Sequence, residues 1–396
     1  MPSVHPANPS PAESSVAFNL ARLQVHVLRW PVDTPVQTSF GTMLDRPAVL
    51  VRAESRDGAV GWGESWCNFP GCGAEHRARL IDSVIAPLLL QRDFDSPEAA
   101  FDRLSAATAV LAIQSGEPGP IAQAIAGVDI ALWDLVARRA GQPLWRMLGG
   151  HTSLVPVYAS GINPQQPAGM VLQLRAAGHR RFKLKIGFGV ERDLANLTAV
   201  RAAAGDAAPV MADANQAWTL EQALATVPRL QPHRLVWLEE PLRADAGAAA
   251  WRELARVTPI ALAAGENLIG QVAFEDALAA GALSVVQPDI AKWGGISGGR
   301  RVVERIVAAG RWFCPHFLGA GIGQTASAHL LAAYPGVGEH TGWLEIDGNP
   351  NPLRTVLAPA LDTLHEGHIE LGELPGLGVQ PSIPELQALC AAAGRG

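Results

Sequence analysis

Seven ionisable residues recur at nearly even intervals in the second half of the chain: Lys185, Asp213, Glu239, Glu266, Asp289, His316 and Glu345, each 23 to 29 residues from the next. Asp213, Glu239 and Glu266 are three carboxylates in succession. Like charges brought together are unfavourable unless a cation compensates them, and oxygen-only ligation with open positions favours Mg2+, one ion per subunit, with Mn2+ as a substitute. Lys183 and Lys185 stand on one side of that trio, and Asp289 with His316 on the other. An aspartate accepting from one imidazole nitrogen fixes the tautomer and raises the basicity of the other nitrogen, which makes a general acid/base dyad. Two ammonium groups and a divalent cation in one pocket are expected to depress the lysine pKa, so that Lys185 becomes a candidate base near neutral pH. A cation flanked by bases suits the removal of a weakly acidic proton next to a carboxylate. Glu345, if protonated, could donate to the second carboxylate oxygen of such a substrate.

The interval between these residues is about the length of one βα unit. Short apolar or β-branched runs carry them: 155–160, 181–187, 209–215, 235–241, 260–267, 283–290, 312–317 and, more weakly, 340–346, each followed by an Ala/Leu/Arg-rich helical stretch. Eight strands alternating with helices fit a (β/α)8-type modified TIM barrel, an α/β fold whose strand ends converge on one face; a doubly wound sheet is the competing arrangement. Strand side chains alternate, so Lys183 and Lys185 share a face, with Lys185 roughly 7 Å nearer the mouth. Lys185 is then placed to reach the reacting carbon, and Lys183 to lie deeper, near the metal and the substrate's anionic group.

Ahead of the barrel, residues 21–56 alternate as an antiparallel meander, and 74–90, 97–110 and 121–138 carry apolar residues at helical spacing. The organisation read from this is a disordered tail (1–18), an α+β N-terminal capping domain (19–150), the barrel (151–365) and a C-terminal segment (366–396). The last segment holds short strands at 368–371 and 376–379 that return to the capping domain. The tail has neither a basic region nor an apolar core of a leader, and no apolar run reaches the length of a membrane helix.

The chain has 396 residues, 48% hydrophobic and 17% charged, with a net charge of −6. That composition supports a large core and gives no basic footprint for nucleic acid or an anionic membrane. Its four cysteines are too few and too scattered for a disulfide framework, so a cytoplasmic location is expected. Lysine and arginine total 31, yet only Lys183, Lys185 and Lys292 are lysine. An ε-amine can give up its proton where a guanidinium cannot, so the placement of all three near the ionisable series is a functional signal.

The ordered motifs Lys183-Leu-Lys185-Ile-Gly187, Asp213-Ala-Asn215, Trp237-Leu-Glu239-Glu240-Pro241, Gly265-Glu266-Asn267, Pro288-Asp289 with Lys292 and Gly294-Gly295, and His316 resemble the enolase superfamily, specifically its mandelate racemase subgroup. The likeness extends to Gly61-Trp62-Gly63-Glu64, Ala131-Leu132-Trp133-Asp134 and Pro375–Val379. The resemblance implies a capping loop around Phe40 and Trp66 that closes over the substrate, with Asn215, Glu240 and Lys292 at or beside the site. It also implies an acid-sugar dehydratase in which Lys185 or His316 takes the α-proton and His316 assists loss of the β-hydroxide. A racemase or epimerase using both bases is the same-fold alternative, and a non-catalytic sugar-acid binding protein the alternative of another class. A homo-oligomer is expected by analogy. Two further patterns point elsewhere: Gly295-Ile-Ser297-Gly-Gly299 matches a nucleophile elbow, and Gly319-Ala-Gly321-Ile-Gly323 a dinucleotide loop, here read as a tight turn.

Overall fold

The computed structural model describes residues 17–37, 41–336 and 341–393. β1 (Phe18–Gln37), β2 (Thr42–Ser55) and β3 (Val60–Ser65) form the antiparallel meander, and β4 (Asp93–Phe94) pairs with the start of β1. Phe18, assigned above to the tail, is buried in this sheet against Phe94. The helix Pro118–Arg139 lies across β3 at backbone contact. A Cβ on Gly61 would stand 2.2 Å from the Ala131 carbonyl oxygen, and one on Gly63 2.1 Å from that of Gly127. That helix is long and apolar enough to cross a membrane, contrary to the sequence reading, but nearly all of it is buried in the protein interior.

Eight parallel strands follow: β5 (Leu154–Ile162), β6 (Phe182–Lys185), β7 (Val210–Asp213), β8 (Trp237–Glu239), β9 (Ala261–Ala264), β10 (Val285–Val286), β11 (Trp312–Phe313) and β12 (Leu344–Asp347). They pair in chain order from β5 to β11, and β12 returns to pair with β5. Helices fill every interval from β5 to β12. Sequential neighbours and the β12–β5 return make a curled barrel, not a doubly wound sheet, in which the strand order reverses. Among the described residues no ladder joins β11 to β12.

Two inner layers set the stage for chemistry. The lower is apolar: Tyr158, Met211, Trp237, Ala263, Val285 and Cys314 are buried together, with Trp343 against them. Two residues further along their strands come Asp213, Glu239, Gln287, His316 and Glu345, which the period-two alternation places on the same inward face, one layer nearer the mouth.

After the barrel, β13 (His368–Glu370) adds antiparallel to β5 and does not join the capping domain. Residues 376–379 do reach the capping domain, but they form no strand. Gly376 and Gly378 adopt φ of +69° and +68°, incompatible with an extended ladder, and the Leu377 N–H is taken by Asp134 Oδ1 at 2.6 Å. Helix Ile383–Ala393 packs against β1.

Candidate active site

The barrel mouth gathers Lys183, Lys185, Asp213, Asn215, Glu239, Glu240, Glu266, Asp289, Lys292, His316 and Glu345 into one ionic cluster. Adjacent register does much of this: Lys183 pairs with Met211, Lys185 with Asp213, and Asp213 with Glu239 across β6, β7 and β8. Lys183 therefore lies in the apolar layer, 1% exposed, with its ammonium 5.3 Å from the Tyr158 ring centre. Its Nζ donates to Glu239 Oε1 at 2.5 Å and lies 2.8 Å from Glu345 Oε1. Lys185, one layer up, donates to Asp213 Oδ2 and Asn215 Oδ1, both at 2.6 Å. Asn215, two residues after β7, and Glu240, directly after β8, adopt φ of +44° and +39°. Asn tolerates that left-handed region; at Glu240 it stores strain of about 1 kcal/mol, as site backbones often do.

Opposite the lysine pair, His316 Nδ1 faces Asp289 Oδ2 at 2.8 Å, and Nε2 faces Glu266 Oε2. Asp289 Oδ1 is fixed by the N–H groups of Ala291 and Lys292, at 2.9 and 3.1 Å. Lys292 Nζ reaches Asn267 Oδ1 at 3.2 Å and Glu266 Oε1 at 3.4 Å, and stands 4.8 Å from the Trp66 ring centre. Asn267 in turn donates to Glu240 Oε1 (2.8 Å) and Glu266 Oε1 (2.9 Å), leaving Glu240 Oε2 buried with no hydrogen-bond partner. Trp66 thus belongs to the cluster's rim. Phe40 lies outside the described residues.

Six carboxylates (Asp213, Glu239, Glu240, Glu266, Asp289, Glu345) face four cationic groups (Lys183, Lys185, Lys292, His316). Burial penalises every charge here, and pairing decides which survive. Burial pushes Glu240 up to about 8, assisted by Glu266 and Asp213, and Glu239 up to about 7. Burial opposes ionisation of Glu266 too, but His316 and Lys292 outweigh it and hold that carboxyl well below its usual range. Among the chain's own groups the lysines are raised, where two ammoniums with a divalent cation are expected to depress them. Burial would lower Lys185, yet Asp213 holds its ammonium above the ordinary value, and Glu239 and Glu345 do the same for Lys183. His316 is likewise raised to about 10: burial lowers it, and Glu266 and Glu345 more than compensate.

Among the described residues no three groups stand ready as a metal shell, because Asp213, Glu239 and Glu266 are each turned to a cation of the chain. The donor set nonetheless fits a hard divalent cation: all oxygen, little exposed and on neighbouring strands, in a cluster of six carboxyl groups and four cationic ones.

Several contributors were not picked out from sequence. Gln287 Nε2 (2.6 Å) and Trp237 Nε1 (3.2 Å) both donate to Glu239 Oε2. Glu64 of β3 caps the helix that follows His316 through Ala320 N (2.6 Å) and Gly323 N (2.9 Å). Glu64 and Asn267 stood in quoted motifs and the inward alternation marks Gln287, but nothing local to the sequence tells what these side chains touch. Ser297, by contrast, is no nucleophile elbow: buried, it donates Oγ to Asp129 at 2.6 Å and accepts from Trp133 at 2.9 Å. The Gly319–Gly323 turn opens the helix Gly321–Ala333 on Glu64.

Residues 22–149 match the mandelate racemase/muconate lactonizing enzyme N-terminal domain, and residues 168–386 match the enolase C-terminal domain-like family. The chain belongs to the enolase superfamily. A crystal structure of a mandelate racemase/muconate lactonizing enzyme from Bordetella bronchiseptica RB50 is 58% identical, with a TM-score of 0.90, covering 95% of this chain and all of that one. A 3,6-anhydro-alpha-L-galactonate cycloisomerase of Streptomyces coelicolor is 31% identical over 91% of this chain and 96% of its own length. A structure of L-talarate/galactarate dehydratase liganded with Mg and L-glucarate is 29% identical, with a TM-score of 0.80, covering 98% of this chain and 95% of that one. Enolase superfamily relatives of this chain thus include acid-sugar dehydratases and cycloisomerases.

Proposed function

We propose that this protein is a Mg2+-dependent enzyme that removes the α-proton of a hydroxy carboxylate and expels the β-hydroxide as water, an acid-sugar dehydratase. The observation that carries the reading is the placement of Lys185 and the Asp289–His316 dyad on opposite sides of three carboxylates gathered at one barrel mouth. Asp213, Glu239 and Glu266 would hold the ion. Bound there, it supplies the positive charge that acidifies a carboxylate substrate's α-proton. Asn267 keeps Glu266 oriented, and Gln287 and Trp237 keep Glu239 oriented. Lys183, a compact ammonium in the apolar layer, holds Glu239 and Glu345 and faces the anionic end of the substrate.

Lys185 as an ammonium delivers a proton; freed from Asp213, the amine takes one. His316 works through Nε2, since Nδ1 is committed to Asp289. As imidazolium it protonates the departing hydroxide, and the resulting enol becomes a 2-keto acid. Lys292, pinned between Glu266, Asn267 and Trp66, fastens the capping domain over the site.

A second reading, epimerisation or cycloisomerisation on the same site, is favoured by the two opposed bases and by the cycloisomerase relative. A screen of mono- and diacid sugars for 2-keto acid formation, with Mg2+ and with EDTA, separates them. Keto acid formed only with Mg2+ supports dehydration. α-Proton exchange without keto acid supports the second reading, and binding without any exchange would leave a sugar-acid binding protein.

A further inference from the structure

We propose that capping-domain residues Glu64, Trp66 and Asn68 are positioning residues that jointly fasten the two loops bearing Asp289 and His316; this rests on the dyad reading above. Glu64 lies in β3, and Trp66 and Asn68 follow just beyond its end, where the chain runs along the barrel. Cys67, between them, is buried in the main core.

Each grips a different part of the dyad's support. The Glu64 side chain, essentially unexposed, accepts from Ala320 N and Gly323 N in the first turn of a 13-residue helix that begins five residues after His316. A carboxylate there satisfies orphan donors and complements the helix dipole. The turn is shaped for it: a Cβ on Gly319 would lie 2.7 Å from Glu64 Oε1 and 2.5 Å from the Phe317 ring. Asn68 Nδ2 donates to the Leu318 carbonyl, two residues after His316. Trp66 N donates to the Ala291 carbonyl at 3.3 Å, within the turn whose N–H groups hold Asp289 Oδ1, and its ring covers Lys292.

The relative position of Asp289 and His316 is therefore set from outside the barrel as well as by β10 and β11. Displacements of about 1 Å cost reactions on the order of 10²-fold, so a clamp shared by both loops matters to the dyad more than to the fold.

The test is the imidazole N–H resonance of His316 in the Mg2+-loaded full-length protein, assigned by its absence in His316→Asn. Glu64→Gln, which puts an amide NH2 against backbone N–H groups, is expected to shift or broaden that resonance beyond detection. Glu98→Gln, a capping-domain carboxylate paired with Arg300 on the outer surface, is expected to leave it in place. If Glu64→Gln does not fold, Asn68→Ala, at a half-buried position, carries the same expectation. An unchanged resonance in the folded Glu64 or Asn68 variant overturns the proposal, as does equal perturbation by Glu98→Gln. The readout needs no substrate, so a negative acid-sugar screen would defeat the functional reading without touching this one.

Discussion

At the scale of single residues, the three lysines carry the sharpest expectation. Every other cationic side chain of the Lys/Arg class is arginine, and the lysines all sit in the ionic cluster, two of them paired with carboxylates of the trio at 2.5 and 2.6 Å. A guanidinium keeps the charge and cannot lose the proton. Lys185→Arg is therefore expected to be as inactive as Lys185→Ala, both losing about 10²- to 10⁴-fold in kcat, read in the Mg2+-dependent keto-acid assay. Activity retained in the arginine variant would leave Lys185 only an electrostatic part. Lys185 stands in the evenly spaced series and Lys183 follows from strand alternation, but their protonation was not legible. Sequence counts two ammoniums as mutual repellents, whereas in the fold the carboxylates they touch decide the sign.

A buried histidine away from the site gives a pH test. Burial pushes His329 down to about 3, and its Nδ1 accepts from Trp145 N at 2.9 Å, so it stays neutral in the fold. Unfolded, it takes a proton at about 6.5. Its folded value is depressed, so the unfolded state binds more protons between those values, and stability is lost as pH falls below about 6.5. The contribution is about 1.4 kcal/mol per pH unit. Urea unfolding at pH 7 and pH 5 should show a steeper loss in the parent than in His329→Gln.

At the scale of elements, β3 and helix Pro118–Arg139 are welded by glycines. Gly63→Ala would drive a Cβ onto the Gly127 carbonyl and the Ala131 backbone nitrogen, with no flexible side chain to yield. A loss of about 1–3 kcal/mol in urea unfolding is expected, and reduced activity beyond that, because Glu64 is the next residue. The barrel strands and the helices between them were readable from period and punctuation, whereas β4 and the helix Ile383–Ala393 were not. Gly376–Val379 is informative: it looks like a strand because its apolar residues alternate, but its glycines take left-handed φ, the Leu377 N–H goes to Asp134, and Gly376 makes only an isolated bridge to Pro143. Such partners lie more than two hundred residues away in sequence, beyond any local pattern.

At the scale of the whole molecule, capping domain and barrel share one core and one buried ion network. Arg46 of β2 donates to Asp347 Oδ2 at the end of β12 at 2.9 Å, both side chains nearly inaccessible, while Arg354 Nη1 stays 3.5 Å from the same oxygen. Arg46→Met should cost about 3 kcal/mol, the lower end for breaking a buried pair, since Arg354 still compensates Asp347. A cost near zero in denaturant unfolding would mean the network adds nothing to the domain joint. Two-domain organisation was visible in the change of rhythm near residue 150; the network crossing it was not, because Arg46 and Asp347 match no motif.

We propose that this barrel mouth abstracts an α-proton with the help of a divalent cation, whatever follows. It is tested most directly by 1H NMR of acid sugars incubated with the protein in D2O, with Mg2+ or with EDTA. Loss of an α-proton signal, by exchange or turnover, that requires Mg2+ and disappears in the Lys185→Ala, His316→Asn double variant is the expected result. Loss that survives EDTA, or that proceeds at the parent rate in the double variant, would contradict it.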